Sequence, residues 1–354
     1  YFCWVKIHEK YILRCIELAK NGLGTTAPNP MVGCVITVDG KIIGEGFTSP
    51  YGGPHAEVNA IHSVSDKEQL KKATLYVSLE PCSHHGKTPP CADLIIRHGI
   101  PRVVIGIRDP HKKVDGKGIE KLLAAGIEVT CPVREQECRV HHRRFLTYQE
   151  KDRPYVILKW AESGDGFIAP DPDMRGSKPQ PYWITTRHSR QLVHQWRTEE
   201  QAILVGTTTC VKDNPKLTPR TWVGNSPLRV VIDRKLKIPK DYHIYDGSVK
   251  TLILTEEGLI SESASGVDYA PLDFTENLPV QICDRLCERG IQSVIIEGGA
   301  KTLKSFIEAG LWDEARIFTG PKPLKSGIKS PPIHGKEVSR TQIENDLLRI
   351  LRND

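Results

Sequence analysis

A chain of 354 residues exceeds one ordinary hydrophobic core, and 39% apolar with 26% charged residues matches a folded protein of two domains. The net charge of +6 is spread out: residues 1–150 carry 20 Lys and Arg against 16 Asp and Glu, and the remainder 29 against 27. No basic block that could follow a nucleic-acid backbone is present and no apolar run exceeds strand length, so nucleic acid and membrane are not expected partners.

The segment Tyr1-Phe2-Cys3-Trp4-Val5-Lys6 lacks the charged and then apolar pattern of a secretion signal. Ten cysteines without a disulfide spacing pattern point to a reducing, cytoplasmic setting. Homo-oligomerisation stays open.

In chain order, Ile7, Tyr11, Cys15, Leu18 and Ala19 share one helical face. Asp39-Gly40, between apolar runs at 32–36 and 41–45, is a two-residue hairpin signal. A helix over 55–64 is followed by strand 74–79, helix 91–98, strand 103–107, helix 117–125 and strand 128–131. That alternation predicts a three-layer α/β/α domain over residues 1–150. The charged stretch 134–154 reads as a linker. In a second α/β domain, 151–354, strands are expected at 155–159, 202–205, 228–232, 251–254, 293–296 and 315–318, and helices at 187–196, 280–289 and 300–309. Residues 170–182 are proline-rich and read as a surface loop.

His55-Ala56-Glu57 opens one expected helix, Glu80-Pro81-Cys82 follows the next strand, and Cys91 opens the helix after it. Zinc takes His nitrogen and Cys sulfur tetrahedrally, and a catalytic zinc keeps one position for water, so three ligands, His55, Cys82 and Cys91, is the expected number. Glu57 is then an unligated carboxylate, able to take a proton from the water that the metal activates and pass it to a departing amine. Helix N-termini at these positions favour thiolate over thiol.

A non-catalytic zinc scaffold closes with four ligands and has no use for Glu57. A nucleic-acid or nucleoside deaminase is disfavoured by spacing: its signature is Pro-Cys-x-x-Cys, whereas eight residues separate Cys82 from Cys91 here. His84 and His85 lie inside that insert and compete as ligands; they rank below Cys91, because a Cys at a helix start is also the geometry of the short form. Lys87 in the same loop would set a cation beside the substrate, suited to a phosphate.

Downstream, Glu297-Gly298-Gly299 joins an apolar strand to a helix. Glycines there let backbone amides approach a phosphate, and the same residues read equally as a tight structural turn. Thr207-Thr208-Thr209 adds hydroxyls at another strand end. Lys159 and Glu297, polar residues at or beside apolar runs, are as often a structural ion pair as a functional one.

Taken together, these segments resemble the bifunctional deaminase/reductase family of riboflavin biosynthesis, the RibD type. The likeness runs through Thr26-Ala27-Pro28-Asn29-Pro30, His55-Ala56-Glu57, Glu80-Pro81-Cys82-Ser83-His84, Gly86-Lys87-Thr88-Pro89-Pro90-Cys91, Arg153-Pro154-Tyr155-Val156 with Lys159, Trp183-Ile184-Thr185, Asp213-Asn214-Pro215 and Glu297-Gly298-Gly299. The long insert between the two cysteines is this family's own form.

The resemblance implies a cytidine-deaminase-like domain over 1–150 that deaminates a phosphoribosylated diaminopyrimidinone with Zn2+. It implies a dihydrofolate-reductase-like domain over 151–354 that reduces the ribosyl group to ribityl with NADPH. It also implies deaminase substrate contacts at Asn29 (pyrimidine), His84 and Lys87 (phosphate), with Glu57 shuttling protons. For the reductase it implies substrate contacts at Lys159, Arg197, Leu217, Arg220 and Glu297, with Lys159 a candidate for proton delivery. Cofactor contacts are implied at Ala161, Trp183, Thr209, Asp213, Gly299, Ala300, Lys301, Thr302, Leu303, Lys304 and Ser305.

Overall fold

In the computed structural model, residues 2–84, 89–111, 114–176, 178–259 and 265–353 are described. The chain divides into two compact units, Tyr1–Asp152 and Arg153–Asp354. Among the described residues no helix is long and apolar enough to cross a membrane.

The first unit runs α1 (Phe2–Ala19), β1 (Gly33–Val38), β2 (Lys41–Phe47), α2 (Ala56–Ser63), β3 (Thr74–Leu79), α3 (Cys91–Arg97), β4 (Arg102–Ile107), α4 (Lys117–Ala124), β5 (Glu128–Thr130), α5 (Glu135–His141) and α6 (Arg143–Lys151). Its sheet has the order β2-β1-β3-β4-β5. The β1–β2 hairpin closes at Val38↔Lys41, with Asp39 and Gly40 both at positive φ, as a two-residue turn demands.

Sheet faces follow from close approach. A Cβ on Gly33 would fall 1.9 Å from the carbonyl of Cys15, so α1 lies directly on that face. Cβ atoms on Gly44 and Gly46, whose partners on β1 are Ile36 and Cys34, would strike the α2 backbone near Ala60. Gly33 and Cys34 point to opposite faces by strand alternation, so helices cover both sides of the sheet in three layers. The stretch expected to be a linker is instead α5 and α6. Cys138, His142, Phe145 and Leu146 are buried at helical spacing, a stripe that high local charge conceals.

The second unit runs β6 (Tyr155–Glu162), β7 (Phe167–Ala169), α7 (Arg187–Glu199), β8 (Ala202–Gly206), α8 (Thr207–Asp213), β9 (Leu228–Ile232), β10 (Thr251–Glu256), β11 (Val267–Leu272), α9 (Leu278–Cys287), β12 (Ser293–Ile296), α10 (Ala300–Glu308), β13 (Glu314–Thr319), β14 (Ile328–Lys329), β15 (Lys336–Ile343) and β16 (Asp346–Arg352). The main sheet has the order β11-β10-β9-β8-β12-β6-β13-β16-β15. Strands β11 to β13 in that order pair in parallel, and β16 and β15 add an antiparallel edge.

Tyr155, Ile157 and Ile203 enter one buried cluster, and Val156, Leu158 and Leu204 the other. Burial on both faces explains why these strands read as continuous apolar runs. Strand β12 inserts between β8 and β6. Their carboxyl ends therefore meet at a switch in strand order, where open α/β sheets bind ligands.

Candidate functional site

In the first unit, His55 is the extended residue immediately before α2 (φ −73°, ψ 166°), and Glu57 lies buried in the first turn. The far end of α2 is held by Lys67, whose ammonium donates to the carbonyls of Ile61, His62 and Val64. Cys82 follows β3 and Cys91 opens α3, which lacks a side-chain cap. Its first amides go to Cys82 instead: Cys91 N–H to Sγ at 3.3 Å and Ala92 N–H to the carbonyl at 3.1 Å.

His55 Nδ1 lies 3.6 Å from Cys82 Sγ and 3.4 Å from Cys91 Sγ. The three donor atoms fall within 4.8 Å of one another, and they are the group suited to a metal among the described residues. A tetrahedral zinc at about 2.3 Å from sulfur and about 2.05 Å from nitrogen separates those donors by about 3.5 Å. Donor set and spacing therefore fit that ion.

The Cys91 side chain, the His55 imidazole and the Cys91 amide hold the Cys82 thiol down at about 4. Cys91 is pushed up in turn by that thiolate and by burial. Burial and the nearby Cys82 charge raise the Glu57 carboxyl to about 7. A cation bound by this donor set would stabilise both thiolates.

His84, expected as a substrate contact and a rival ligand, is exposed and lies outside the donor cluster. Its ring stacks on His111 with centroids 6.2 Å apart. Asn29 is half-buried on the loop between α1 and β1, its N–H donating to the carbonyl of Thr26. Lys87 and His85 fall outside the described residues.

Sequence reasoning missed Glu80. Its buried carboxylate accepts four backbone N–H bonds, from Asp109, Gly116, Gly118 and Ile119, at 2.9 to 3.2 Å. Glu80 thereby ties the strand end that carries Cys82 to the loop after β4 and the start of α4. Asp109 beside it is buried, which pushes its carboxyl up to about 7. Only the adjacency of Glu80 to Pro81-Cys82 could have signalled this.

In the second unit, Lys159 on β6, Arg197 on α7 and Glu297 after β12 meet at the carboxyl edge of the sheet. Arg197 binds Glu297 through two bonds of 2.9 and 2.7 Å and donates to the Thr218 carbonyl at 3.2 Å, and Lys159 Nζ lies 3.8 Å from Glu297. Against the cost of burial, Arg197 and Lys159 hold the Glu297 carboxyl at about 2. Burial lowers Lys159, with Glu297 opposing. Leu217 is buried at φ 57°, and Arg220 stands exposed nearby, lowered by partial burial and by Arg197.

Beside this corner, Gly206 N–H donates to the Gly298 carbonyl. A Cβ on Gly206 would lie 2.8 Å from Thr302 Oγ1, and one on Gly299 would lie 3.2 Å from Thr209 Oγ1. Both glycines have ordinary backbone angles (φ −90° and −77°), so it is space that their missing side chains leave. The two glycines thus let the Thr302 and Thr209 hydroxyls close in on the start of α10, which has no side-chain cap.

Of the residues after Gly299, Ala300, Thr302 and Ser305 are half-buried and Lys301 is exposed. Leu303 is fully buried in the core and Lys304 faces Glu308, so Leu303 has only its backbone to offer. Ala161 is half-buried on β6. Trp183 is exposed, under the Arg190 guanidinium at 4.5 Å. Asp213 is ion-paired at 2.5 Å with Arg175 from the proline-rich loop; burial raises its carboxyl and Arg175 opposes.

Fold and sites are those of a zinc-type deaminase joined to a second domain of the doubly wound α/β kind. Residues 5–107 match the cytidine and deoxycytidylate deaminase zinc-binding region, and residues 154–349 match the RibD C-terminal domain. The chain is 40% identical to the riboflavin biosynthesis protein RibD of Aquifex aeolicus over 91% of this chain and 89% of that protein. It is 41% identical to that of Bacillus amyloliquefaciens over 89% and 85%. A crystal structure from Thermotoga maritima, a diaminohydroxyphosphoribosylaminopyrimidine deaminase/5-amino-6-(5-phosphoribosylamino)uracil reductase, superposes with a TM-score of 0.88 at 40% identity, covering 98% of this chain and 99% of that one. The chain belongs to the RibD family, the bifunctional deaminase/reductases of riboflavin biosynthesis.

Proposed function

We propose that the first unit, 1–150 in the sequence division, removes an amino group from a phosphoribosylated diaminopyrimidine, and that the second, 151–354, reduces the ribosyl group of the deaminated product to ribityl. The observation that carries this reading is the His55–Cys82–Cys91 triangle with a buried, unligated Glu57 in the adjoining helical turn.

His55 Nδ1, Cys82 Sγ and Cys91 Sγ would hold zinc, which when bound supplies a Lewis acid that makes hydroxide available near neutral pH. Glu57, buried and outside the ligand set, takes a proton from the attacking water and delivers it to the departing amine. Glu80 fixes the Cys82 strand end. Asn29 contacts the pyrimidine and His84 the substrate, with Lys87 at the phosphate.

In the second unit NADPH supplies the hydride that no side chain can. Gly206, Gly299, Thr209 and the start of α10, together with Ala161, Trp183 and Asp213, are the residues that would hold it. Glu297 opposes the lowering that burial imposes on Lys159 beside the sugar, and Arg197, Leu217 and Arg220 hold the phosphorylated substrate. A cytoplasmic setting without nucleic acid agrees with nine free cysteines among the described residues and the dispersed charge.

Incubation with the diaminopyrimidine phosphate, with and without NADPH, tests both steps by product mass. Deaminated product without NADPH, and a further gain of two hydrogens with it, is the expected pattern. Reduction without deamination would overturn the order of steps.

A further inference from the structure

The segment that carries Leu217 and Arg220 is held at two points by residues one turn apart on α7. Arg197 donates to the carbonyl of Thr218 at 3.2 Å. Three residues earlier, His194 receives the other end: the backbone N–H of Thr221 donates to its Nδ1 at 3.1 Å, and Thr221 Oγ1 lies 2.6 Å from the same nitrogen. Between the two clamps stand only Pro219 and Arg220, and the N–H of Arg220 turns back to the carbonyl of Thr218 at 3.1 Å.

The ring of His194 is buried, 7% exposed, and a backbone N–H aimed at Nδ1 makes that nitrogen an acceptor. The imidazole is therefore neutral with its proton on Nε2. Its surroundings agree, since burial, Arg197 and Arg220 together push it down to about 4. Arg220, by contrast, forms no ion pair with an acidic side chain among the described residues and lies close enough to Arg197 and Glu297 to sense both charges. Arg220 is thus a cation without an acid partner among the described residues, on an arch pinned on either side, and available to an anion from outside the chain.

We infer that His194 is a positioning residue for the reductase: through Thr221 it fixes the arch that presents Arg220 to the phosphate monoester of the substrate. The inference rests on the proposed reading of Arg220 as a substrate contact and adds to it the device that sets its place.

Steady-state reductase kinetics of the full chain test it, with 5-amino-6-(5-phosphoribosylamino)uracil, its dephosphorylated form and NADPH, and with deaminase activity and thermal midpoint as folding controls. His194→Ala is expected to raise KM for the phosphorylated substrate about tenfold, the worth of one lost hydrogen bond, with kcat and the KM for NADPH within about twofold. The preference for the phosphorylated over the dephosphorylated substrate falls by the same factor.

His194→Asn, whose Oδ1 can take the place of Nδ1, restores the low KM, and His194→Gln does not. In an Arg220→Ala background, His194→Ala has no further effect on KM. Equal rises in KM for both substrates, or multiplicative effects of the two substitutions, would overturn the clamp. If Arg220→Ala lowers the phosphate preference while His194→Ala leaves it intact, the clamp alone fails. An Arg220→Ala enzyme with full phosphate preference overturns the site reading beneath it and the clamp together.

Discussion

The backbone N–H of Cys91 donates to Sγ of Cys82 at 3.3 Å, so the residue that opens α3 also solvates the sulfur of its neighbour in the donor triangle. The eight-residue insert returns the chain to the place it left, and both thiols converge on His55 Nδ1. Replacing Cys82 with Ser keeps an acceptor for that bond but exchanges a soft thiolate ligand for a hydroxyl that stays protonated. Zinc content measured on the purified chain is expected to fall well below one per chain and ammonia release to vanish. NADPH oxidation with deaminated substrate should persist, because the second unit has its own core and site. Loss of both activities in a folded Cys82→Ser chain would contradict two independent sites.

Glu57→Gln leaves three ligands in place and removes the group that exchanges the proton. Metal content should stay unchanged while the deaminase rate drops by a factor on the order of 10² to 10⁴, the ordinary worth of a general acid/base. Ammonia release at the wild-type rate would sink that role.

Glu80→Gln turns half of a carboxylate that accepts four N–H bonds into a donor facing donors. A loss of about 3 kcal/mol or more is expected in the first unit, with weaker metal retention. Urea unfolding followed by metal release reads both quantities, and an unchanged midpoint would show that the four bonds do not act together.

Gly299→Ala and Gly206→Ala keep allowed backbone angles and crowd the Thr209 and Thr302 hydroxyls at the proposed phosphate contact. Each is expected to raise the KM for NADPH about tenfold or more, with little change in deaminase rate. Unchanged NADPH affinity in both would move the cofactor elsewhere.

Acid should weaken the second unit in two overlapping steps. His194, held at about 4 in the folded chain, is neutral there, whereas the unfolded chain takes up a proton near 6.5. Its contribution to stability is complete above about 6.5 and is lost as pH falls towards 4. Glu297, held at about 2, contributes fully above its unfolded value near 4.5 and loses that contribution as pH falls towards 2. The denaturant midpoint of this unit should therefore fall steadily from about pH 6.5 down to about 2, with His194 responsible for the upper part of the fall and Glu297 for the lower. A flat midpoint between pH 7 and 3 would contradict both assignments.

Helix starts, strand runs and the hairpin at Asp39-Gly40 were legible in the sequence by itself, because each is a property of neighbouring residues. His55, Glu57, Cys82 and Cys91 belong to that class, since each sits at a recognisable element boundary with donor chemistry that only a few ions accept. Elements whose stability comes from distant partners were not legible. Helices α5 and α6 hide a buried stripe under their charge, and Asp346–Arg352 carries helix-favouring Leu and Arg yet is a strand because β13 pairs it along its length.

The same holds for the sites. Glu80 gathers amides up to 39 positions away, Arg197 finds Glu297 at a separation of 100, and His194 finds Thr221 at 27. Strand order and helix phase bring those groups together, and no local pattern encodes them. The chain's own chemistry pointed to a metal triad and a neighbouring carboxylate, and only the tertiary structure decided what holds those residues and the proposed reductase residues in place, because burial and long-range hydrogen bonds exist only once the sheet has formed.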